Sequence, residues 1–271
     1  MNREIWLKRH PYLQSVAHFR EQVEMVAAGI PSPRAVVPDW DCYVGDFQAG
    51  VPLLHSSEAA IDVRPAGRMV ASMIEGLASK PLIHPLAEEV RALVAELLDE
   101  QEAPDRAVAW LIHGDNFEPS HPGLLRYLGW TTLARFLSPV VGTFASWRDE
   151  ERWLRSYCPT CGSLPGMAQL VGHEPGRLRL LSCACCGTRW RYRRTGCPFC
   201  ASEDDHRLAV VAVEGEGGLR IDYCESCDGY LKTYEGEGNE RLLLADWTSL
   251  HLDIIARDRG LKRLAASLYE L

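Results

Sequence analysis

Four Cys-x-x-Cys pairs lie within one stretch of 70 residues, and they limit what this chain can fold into more than any other feature. A Cys-x-x-Cys turn directs two thiolates toward one point, and two such turns joined by a β-hairpin form a tetrahedral sulfur site for Zn²⁺ or Fe. Random cysteine usage does not produce regular doublets, so the pattern predicts metal binding. The pairs are Cys158/Cys161, Cys183/Cys186, Cys197/Cys200 and Cys224/Cys227.

The composition predicts that these cysteines belong to a soluble, cytoplasmic protein. Of the 271 residues, 46% are hydrophobic and 24% are charged, which suits a core with a hydrated surface. The net charge of -8 argues against a protein that coats nucleic acid. The start of the chain has no apolar run, and no stretch reaches the roughly 18 apolar residues of a membrane span, so we expect neither a secretory signal nor a membrane anchor. In the cytoplasm, paired cysteines bind metal more often than they form disulfides.

Residues 1 to about 150 have the pattern of a helical domain. Ser56 and Pro122 are predicted to begin helices, because serine caps N-termini and proline is tolerated in a first turn. Proline-rich breaks at 31–38 and 81–85 separate the helices. Apolar residues recur at helix spacing at Leu86, Val90, Leu93, Val94, Leu97 and Leu98.

After the first cysteine pair the periodicity changes to that of short strands. Residues 208–213 and 219–223 flank a glycine-rich turn, which predicts a hairpin, and 173–176 is predicted to be the turn of another. Trp190 and Tyr192 alternate with Arg189, Arg191 and Arg193, as in a strand with one face in water.

These patterns predict an α+β fold: an N-terminal helical domain, two small rubredoxin-like or zinc-ribbon modules, and a C-terminal helix. The predicted ranges are 1–150 for the helical domain, 151–195 and 196–245 for the two metal ribbons, and 246–271 for the last helix. Asp246 can cap that helix. Its apolar stripe is Leu250, Ile254, Leu261 and Leu264.

The spacing favours a sequential pairing of the four cysteine pairs. Twenty-one residues separate Cys161 from Cys183 and twenty-three separate Cys200 from Cys224, and each gap fits one hairpin. An interleaved, RING-like pairing stays open. A short, glycine-rich segment lacks an adequate apolar core, and a structural Zn²⁺ site, worth on the order of 10 kcal/mol, would stabilise it.

Three other chemistries compete with a structural metal site. The sequences Cys158-Pro-Thr-Cys161 and Cys197-Pro-Phe-Cys200 resemble glutaredoxin-like active sites, but that chemistry needs a low-pKa thiol at a helix N-terminus. An iron–sulfur cluster also uses four thiolates, although ribbons hold a single metal more naturally. A catalytic zinc needs an open coordination position, which four sulfurs do not leave, so we expect no enzymatic activity.

Several residues outside the pairs are given structural interpretations. Cys185, between the ligands of the second pair, is interpreted as a packed side chain, with a ligand role left open. Cys42 is predicted to be a buried apolar residue. Tyr230 and Lys232 are predicted to pack against and cap the last ribbon strand. The nine histidines are scattered, and we assign them no role.

The cysteine region resembles the formate dehydrogenase accessory protein family of the FdhE type. Three segments are similar to family motifs: Cys158-Pro-Thr-Cys161-Gly-Ser-Leu-Pro165, Cys183-x-x-Cys186 followed by Trp190 and Cys197-x-x-Cys200, and Cys224-Glu-Ser-Cys227-Asp-Gly-Tyr-Leu-Lys232. The similarity covers residues 155 to 255, with a local echo at Gly50-Val-Pro-Leu-Leu54 in the helical half.

The resemblance implies a function for the chain. Members of the family are cytoplasmic, bind metal (iron in rubredoxin-like sites has been proposed) and are not catalytic. They are required for active respiratory formate dehydrogenase and bind its catalytic subunit before assembly or export. The expected cofactor is therefore Zn or Fe in two tetracysteine sites, and the expected partner is the formate dehydrogenase catalytic subunit.

Charge gives a second line of inference about partners. Residues 158–200 carry six arginines against one acid, whereas residues 201–250 carry twelve acids against four bases. This reversal predicts a partner surface that includes Arg189, Arg191 and Arg193. The alternative is a zinc-ribbon nucleic-acid-binding protein, since a basic ribbon can bind phosphates. The acidic balance of the whole chain favours the first interpretation.

Overall fold

The computed structural model describes residues 2–31, 33–114, 117–173 and 176–269. The chain divides into two compact units. The sheet unit comprises Met1–Leu13, Val44–Leu53 and Arg148–Ser267, and the helical unit comprises Gln14–Tyr43, Leu54–Trp147 and Leu268–Leu271. The four predicted domain ranges follow sequence order, whereas these units do not, and the ranges stay a prediction.

The first part of the chain forms helices, as the sequence predicts. They are α1 (Arg3–Arg9), α2 (Gln14–Gly29), α3 (Trp40–Ala49), α4 (Arg64–Ala78), α5 (His84–Asp99), α6 (Ala103–His113) and α7 (Pro122–Trp147). Pro122 begins α7, as predicted, and both proline-rich breaks lie between helices. Within the described ranges, no helix is long and apolar enough to cross a bilayer.

Helix α4 is the centre of the helical unit. Its buried face contains Met69, Val70, Met73 and Ile74, and α2, α5, α6 and α7 all pack against α4. Gly67 permits the close approach of α6, because a Cβ at this position would lie 3.1 Å from the Pro104 backbone. The core of this unit is therefore built mainly from apolar helix faces.

The predicted helix start at Ser56 is wrong. The Ser56 hydroxyl accepts a hydrogen bond from the Ala59 N–H at 2.9 Å, as a cap would, but the segment forms only a turn. Ala60 has a φ of 44°, which ends the right-handed path, and α4 begins four residues later at Arg64. The capping hydrogen bond of Ser56 therefore forms, but no helix follows directly from it.

The cysteine region forms one six-stranded sheet in the order β3-β2-β1-β6-β5-β4. The strands are β1 (Met167–Val171), β2 (Leu178–Ser182), β3 (Arg189–Tyr192), β4 (Leu208–Ala212), β5 (Leu219–Cys224) and β6 (Tyr230–Glu235). The first ribbon, β1–β3, and the second ribbon, β4–β6, are each antiparallel. The predicted hairpin between β4 and β5 is confirmed; of the predicted 173–176 turn, residues 174 and 175 lie outside the described ranges.

A parallel pairing joins the two ribbons. Met167 of β1 lies opposite Lys232 of β6, and the ladder continues to Leu170 opposite Glu235. The chain between β3 and β4 must therefore pass from one edge of the sheet to the other. The buried Arg179 side chain holds this crossing by donating a hydrogen bond to the Gly196 carbonyl at 2.9 Å.

The C-terminal helix is present but shorter than predicted. After α8 (Glu240–Leu243) and a 3-10 turn at Asp246–Ser249, α9 covers Leu250–Asp258. Leu261 and Leu264 lie beyond it, and the buried residues of α9 are Leu250, Leu252 and Ala256. Asp246 does not cap the helix; its carboxylate is buried in an ion-pair network. The predicted fold class, helices with a cysteine-bearing sheet and a C-terminal helix, is confirmed.

Candidate metal centres

All four cysteine pairs adopt the same backbone turn. The N–H of the first cysteine donates to the carbonyl five residues later at 2.8–3.0 Å, and the N–H four residues later donates back to the cysteine carbonyl at 2.8–3.2 Å. The residue four positions after the first cysteine, which donates this second hydrogen bond, has a left-handed conformation in every turn, with φ between 57° and 76°. The left-handed residues are Gly162, Gly187, Ala201 and Asp228.

The structure groups the eight sulfurs in the sequential pairing. Site A contains Cys158, Cys161, Cys183 and Cys186, and site B contains Cys197, Cys200, Cys224 and Cys227. Within each site the four sulfur atoms lie within 4.8 Å of one another. The interleaved pairing, by contrast, would join sulfurs that the sheet holds in different sites.

The sulfur separations fit a single tetrahedral ion in each site. Zn–S bonds of about 2.3 Å place tetrahedral sulfurs about 3.8 Å apart. In site B, the Cys197–Cys227 and Cys200–Cys224 sulfurs are 3.8 Å apart. In site A, the Cys158–Cys186 and Cys161–Cys183 sulfurs are slightly closer, at 3.5 and 3.4 Å. Both donor sets suit Zn²⁺ or Fe, and they do not distinguish between the two.

The close packing of the thiols and their burial shift the pKa values of cysteines in both sites. Hydrogen bonding with Cys158 raises the pKa of Cys161 well above its usual range. Burial raises the pKa of Cys227 to about 12. Burial also opposes ionisation of Cys224, but backbone N–H groups, first that of Ser226, outweigh it and lower its pKa. A cation is needed before four thiolates can share either site, so metal binding must release protons.

The two sites differ in their surroundings. All four cysteines of site A are buried, and the buried hydroxyls of Thr160 and Thr188 hydrogen-bond at 2.8 Å across its two turns. In site B, Cys200 is exposed and Cys227 is half-buried. A cleft of about 130 Å³ borders site B, with Phe199 and Val210 among its lining residues.

An N-terminal segment of the sheet unit supports the first turn of site A. The Leu53 N–H donates to the Pro159 carbonyl at 2.9 Å, and the Tyr157 hydroxyl donates to the Gly50 carbonyl at 2.8 Å. Phe47 stacks on Trp153 with ring centroids 5.3 Å apart. The local echo at residues 50–54 therefore includes residues that contact the metal ribbon.

The last strand of the sheet carries a buried ion-pair network. The Lys232 ammonium lies 2.6 Å from Asp246 Oδ1 and 2.7 Å from Asp253 Oδ2, and the Tyr230 hydroxyl donates to Asp253 at 2.7 Å. Burial opposes ionisation of Asp246, but Lys232 and Arg263 outweigh it and hold its pKa at about 2. Tyr230 and Lys232 thus pack as predicted, and they anchor α9 rather than cap the strand.

The arginine strand has the predicted alternation. Trp190 and Tyr192 are buried, while the arginines between them reach the surface to different extents. Each arginine has a partner within the sheet unit: Arg189 donates to Gln169, Arg191 pairs with Glu151, and Arg193 pairs with Glu203. Acids within the chain therefore neutralise some of these arginine charges, and the Arg177–Glu235 pair is a further example.

Two further cysteines and a cluster of three other residues lie outside the two sulfur sites. Cys185 is buried and lies outside the four-sulfur cluster; its sulfur accepts a hydrogen bond from Ser163 at 3.6 Å. The prediction for Cys42 is wrong, because Cys42 is exposed. A cluster of His10, Glu216 and His251, also within metal-ligating reach, was missed because its members are far apart in sequence.

The fold and the paired sites define a class of protein: a metal-binding protein with two ribbons on one sheet, in which the two Cys-x-x-Cys turns of each ribbon form one tetracysteine site. No family model matches the chain. Curated FdhE homologs and the solved structure of an FdhE protein are nevertheless similar to this chain, and these similarities support the FdhE-type family.

The matches are partial in sequence and extensive in structure. An FdhE homolog from Aquifex aeolicus is 32% identical over 47% of this chain and 47% of its own length. One from Pseudomonas aeruginosa is 32% identical over 66% of this chain and 60% of its own length, and one from Pseudomonas putida is 38% identical over 41% and 37%. The chain thus matches less than two thirds of each of these relatives. The crystal structure of the FdhE protein from Pseudomonas aeruginosa has a TM-score of 0.63 at 23% identity, over 95% of this chain and 88% of that one.

Proposed function

We propose that this chain is a metal-binding accessory protein required for formate dehydrogenase activity, and that it binds the catalytic subunit of that enzyme in the cytoplasm before assembly or export. The observation that carries the proposal is the presence of two tetrathiolate clusters on one sheet in a chain with FdhE relatives. The eight clustered cysteines are proposed as the ligands of two Zn or Fe ions.

A non-catalytic role follows from the donor sets. Four sulfurs complete a tetrahedral coordination shell, so an ion in either site has no open position for water or substrate. The bound ions would instead hold together the two turns of each ribbon. The proposed function is therefore recognition of a partner by a metal-stabilised surface.

Arg189, Arg191 and Arg193 are proposed to contribute to that surface, each to a different degree. The Arg193 side chain is 41% exposed and that of Arg191 is 34% exposed, and the acids they pair with are more exposed still. Such surface pairs are weak, typically below about 1 kcal/mol, so a partner carboxylate can replace the internal one. Arg189 is half-buried and donates to Gln169, so its contribution to the surface is the smallest of the three.

Association with a purified formate dehydrogenase catalytic subunit tests the proposal. Wild-type protein should retain the subunit in a pull-down, and an Arg191→Glu/Arg193→Glu variant should retain less, with a difference that shrinks at high salt. The matched control is Arg68→Glu/Arg91→Glu, which makes the same charge change on exposed positions of α4 and α5.

The outcomes separate the two functions that the sequence left open. Undiminished binding by the strand variant removes these arginines from the interface. Failure of the wild-type protein to bind the subunit, together with a nuclease-sensitive elution volume and a raised absorbance ratio, would establish nucleic-acid binding instead.

A further inference from the structure

Three side chains distant in sequence meet on the sheet unit, away from both sulfur sites. His10 follows α1, Glu216 lies in the loop between β4 and β5, and His251 is in the first turn of α9. The His10 Nε2 atom lies 3.0 Å from Glu216 Oε2, and the His251 Nε2 atom lies 2.9 Å from the same oxygen. All three donor atoms lie within 4.8 Å of one another.

Neighbouring contacts hold each of the three elements in place. The indole N–H of the fully buried Trp6 donates to the Thr248 carbonyl at 3.1 Å, which ties α1 to the turn that precedes α9. Arg9 donates to the Gly215 carbonyl and so fixes the loop that carries Glu216. The arrangement is therefore built from the surrounding structure and does not depend on the three side chains alone.

The hydrogen bonds of His10 leave its second nitrogen facing a carboxylate. The Nδ1 atom lies 3.1 Å from the Trp6 carbonyl, which only accepts, so Nδ1 must carry a proton. In the neutral His10 ring, Nε2 then carries no proton, and its lone pair points at the Glu216 carboxylate, which is also an acceptor. Either a second proton or a cation has to lie between them.

The second histidine makes a cation the better solution. The His251 ring stacks on the His10 ring, with centroids 5.1 Å apart. Protonating both rings would place two like charges in contact, against one carboxylate. If His251 is neutral and donates from Nε2, both rings direct a proton at the same Glu216 oxygen. A divalent ion would accept both Nε2 lone pairs and one carboxylate oxygen, and no proton would be shared.

We propose that His10, Glu216 and His251 form a third metal site, for a divalent transition metal such as Zn²⁺. Two imidazoles and one carboxylate are a donor set for Zn²⁺, Fe²⁺ or Mn²⁺ and leave coordination positions open, unlike four thiolates. The bond from His10 Nδ1 to a backbone carbonyl is the outer contact that metal-ligating histidines usually make. The side chains of Glu216 and His251 are 13% and 14% exposed, so an ion can enter from solvent.

Zinc titration of the full-length protein tests the assignment. Protein purified with its cysteine sites filled is dialysed against metal-free buffer, its bound metal is counted, and Zn²⁺ is added in a calorimeter. We expect one further equivalent per chain in the wild-type protein. Glu216→Gln and His251→Gln, which nearly preserve side-chain volume, should each weaken that binding by at least about 100-fold.

The control and the contrary outcomes are defined by the same experiment. His173→Gln changes an exposed histidine of the same unit and should leave the additional equivalent intact. Circular dichroism and the cysteine-bound metal count verify that each variant is folded. No additional equivalent in the wild-type protein, or its retention by either Gln variant, overturns the site and leaves a hydrogen-bonded cluster only.

Discussion

Site A and site B share their backbone turns but differ in the residues that make those turns and in their contact with water. Both left-handed positions of site A are glycines, Gly162 and Gly187, whereas those of site B are Ala201 and Asp228. The sulfurs of site A are all buried, whereas Cys200 of site B is exposed. The same ligand geometry is therefore held in two ways.

The difference shows how a metal can substitute for local sequence preference. A left-handed residue other than glycine costs roughly 1–2 kcal/mol, and less for aspartate, so both turns of site B are less favourable than those of site A, most of all at Ala201. Its exposed sulfur also gives water and competing ligands a route to the ion. We therefore expect site A to act as a permanent structural centre, and site B to depend more on its ion and to release it sooner.

The largest expected effect is the difference in stability between a variant that lacks a buried cysteine ligand and one that lacks an exposed cysteine ligand. Cys186→Ser should empty site A and prevent stable folding of the sheet unit, since a structural zinc site is worth on the order of 10 kcal/mol. Cys200→Ser should empty site B but leave the first ribbon and site A folded. Metal counts and thermal unfolding of both variants measure this. Equal losses of stability would contradict the comparison.

A smaller effect is expected at the seam that both sites share. Lys232 lies opposite Met167 on one side and Ile221 on the other, so it sits where the ribbons join. Lys232→Met should destabilise the unit by about 3–5 kcal/mol, because Asp246 and Asp253 would lose their buried counter-charge.

The control for this variant is another lysine–aspartate pair. Lys262→Met removes the exposed Lys262–Asp228 pair, which is worth less than about 1 kcal/mol. Denaturant unfolding of both variants supplies the comparison. If the two substitutions cost the same, the buried network does not hold the seam.

The kinetics of metal release should then distinguish the sites directly. With a strong chelator in excess, we expect two phases, the faster one from site B by about tenfold or more, because exposed and strained turns open locally at lower cost. Cys200→Ser assigns the faster phase by removing it. A single phase in the wild-type protein, or a faster phase that persists in Cys200→Ser, would contradict this order of the sites.

The smallest effect concerns the left-handed positions themselves. Gly187→Ala should destabilise the unit by about 1–2 kcal/mol through backbone strain alone, since a Cβ there meets no atom within 4 Å. Ala201→Gly should stabilise it by up to about 1 kcal/mol, the relief of strain being partly offset by the greater freedom of unfolded glycine. Urea midpoints under metal-saturated conditions measure both changes. The same sign at both positions would mean that strain does not distinguish the sites.

The sequence predicts local patterns well and their long-range assembly poorly. The cysteine doublets predict which sulfurs meet, because each gap has the length of one hairpin, and the alternation around Trp190 predicts which face of β3 is buried. The parallel pairing of β1 with β6 has no local signal, because it joins strands about 60 residues apart and depends on the packing of the whole unit. The sequence does not predict the cluster of His10, Glu216 and His251 for the same reason, because each residue taken alone is an ordinary polar side chain.

The position of β1 has a consequence for the fate of metal-deficient chains. In the intact sheet β1 is hydrogen-bonded on both sides, to β2 and to β6, and Met167, Ala168 and Leu170 are buried. If the second ribbon comes apart for want of its ion, β1 becomes an edge with unpaired backbone groups and apolar side chains. Such an edge recruits strands from other molecules. Limited metal supply would then lead to aggregation or proteolysis of this protein.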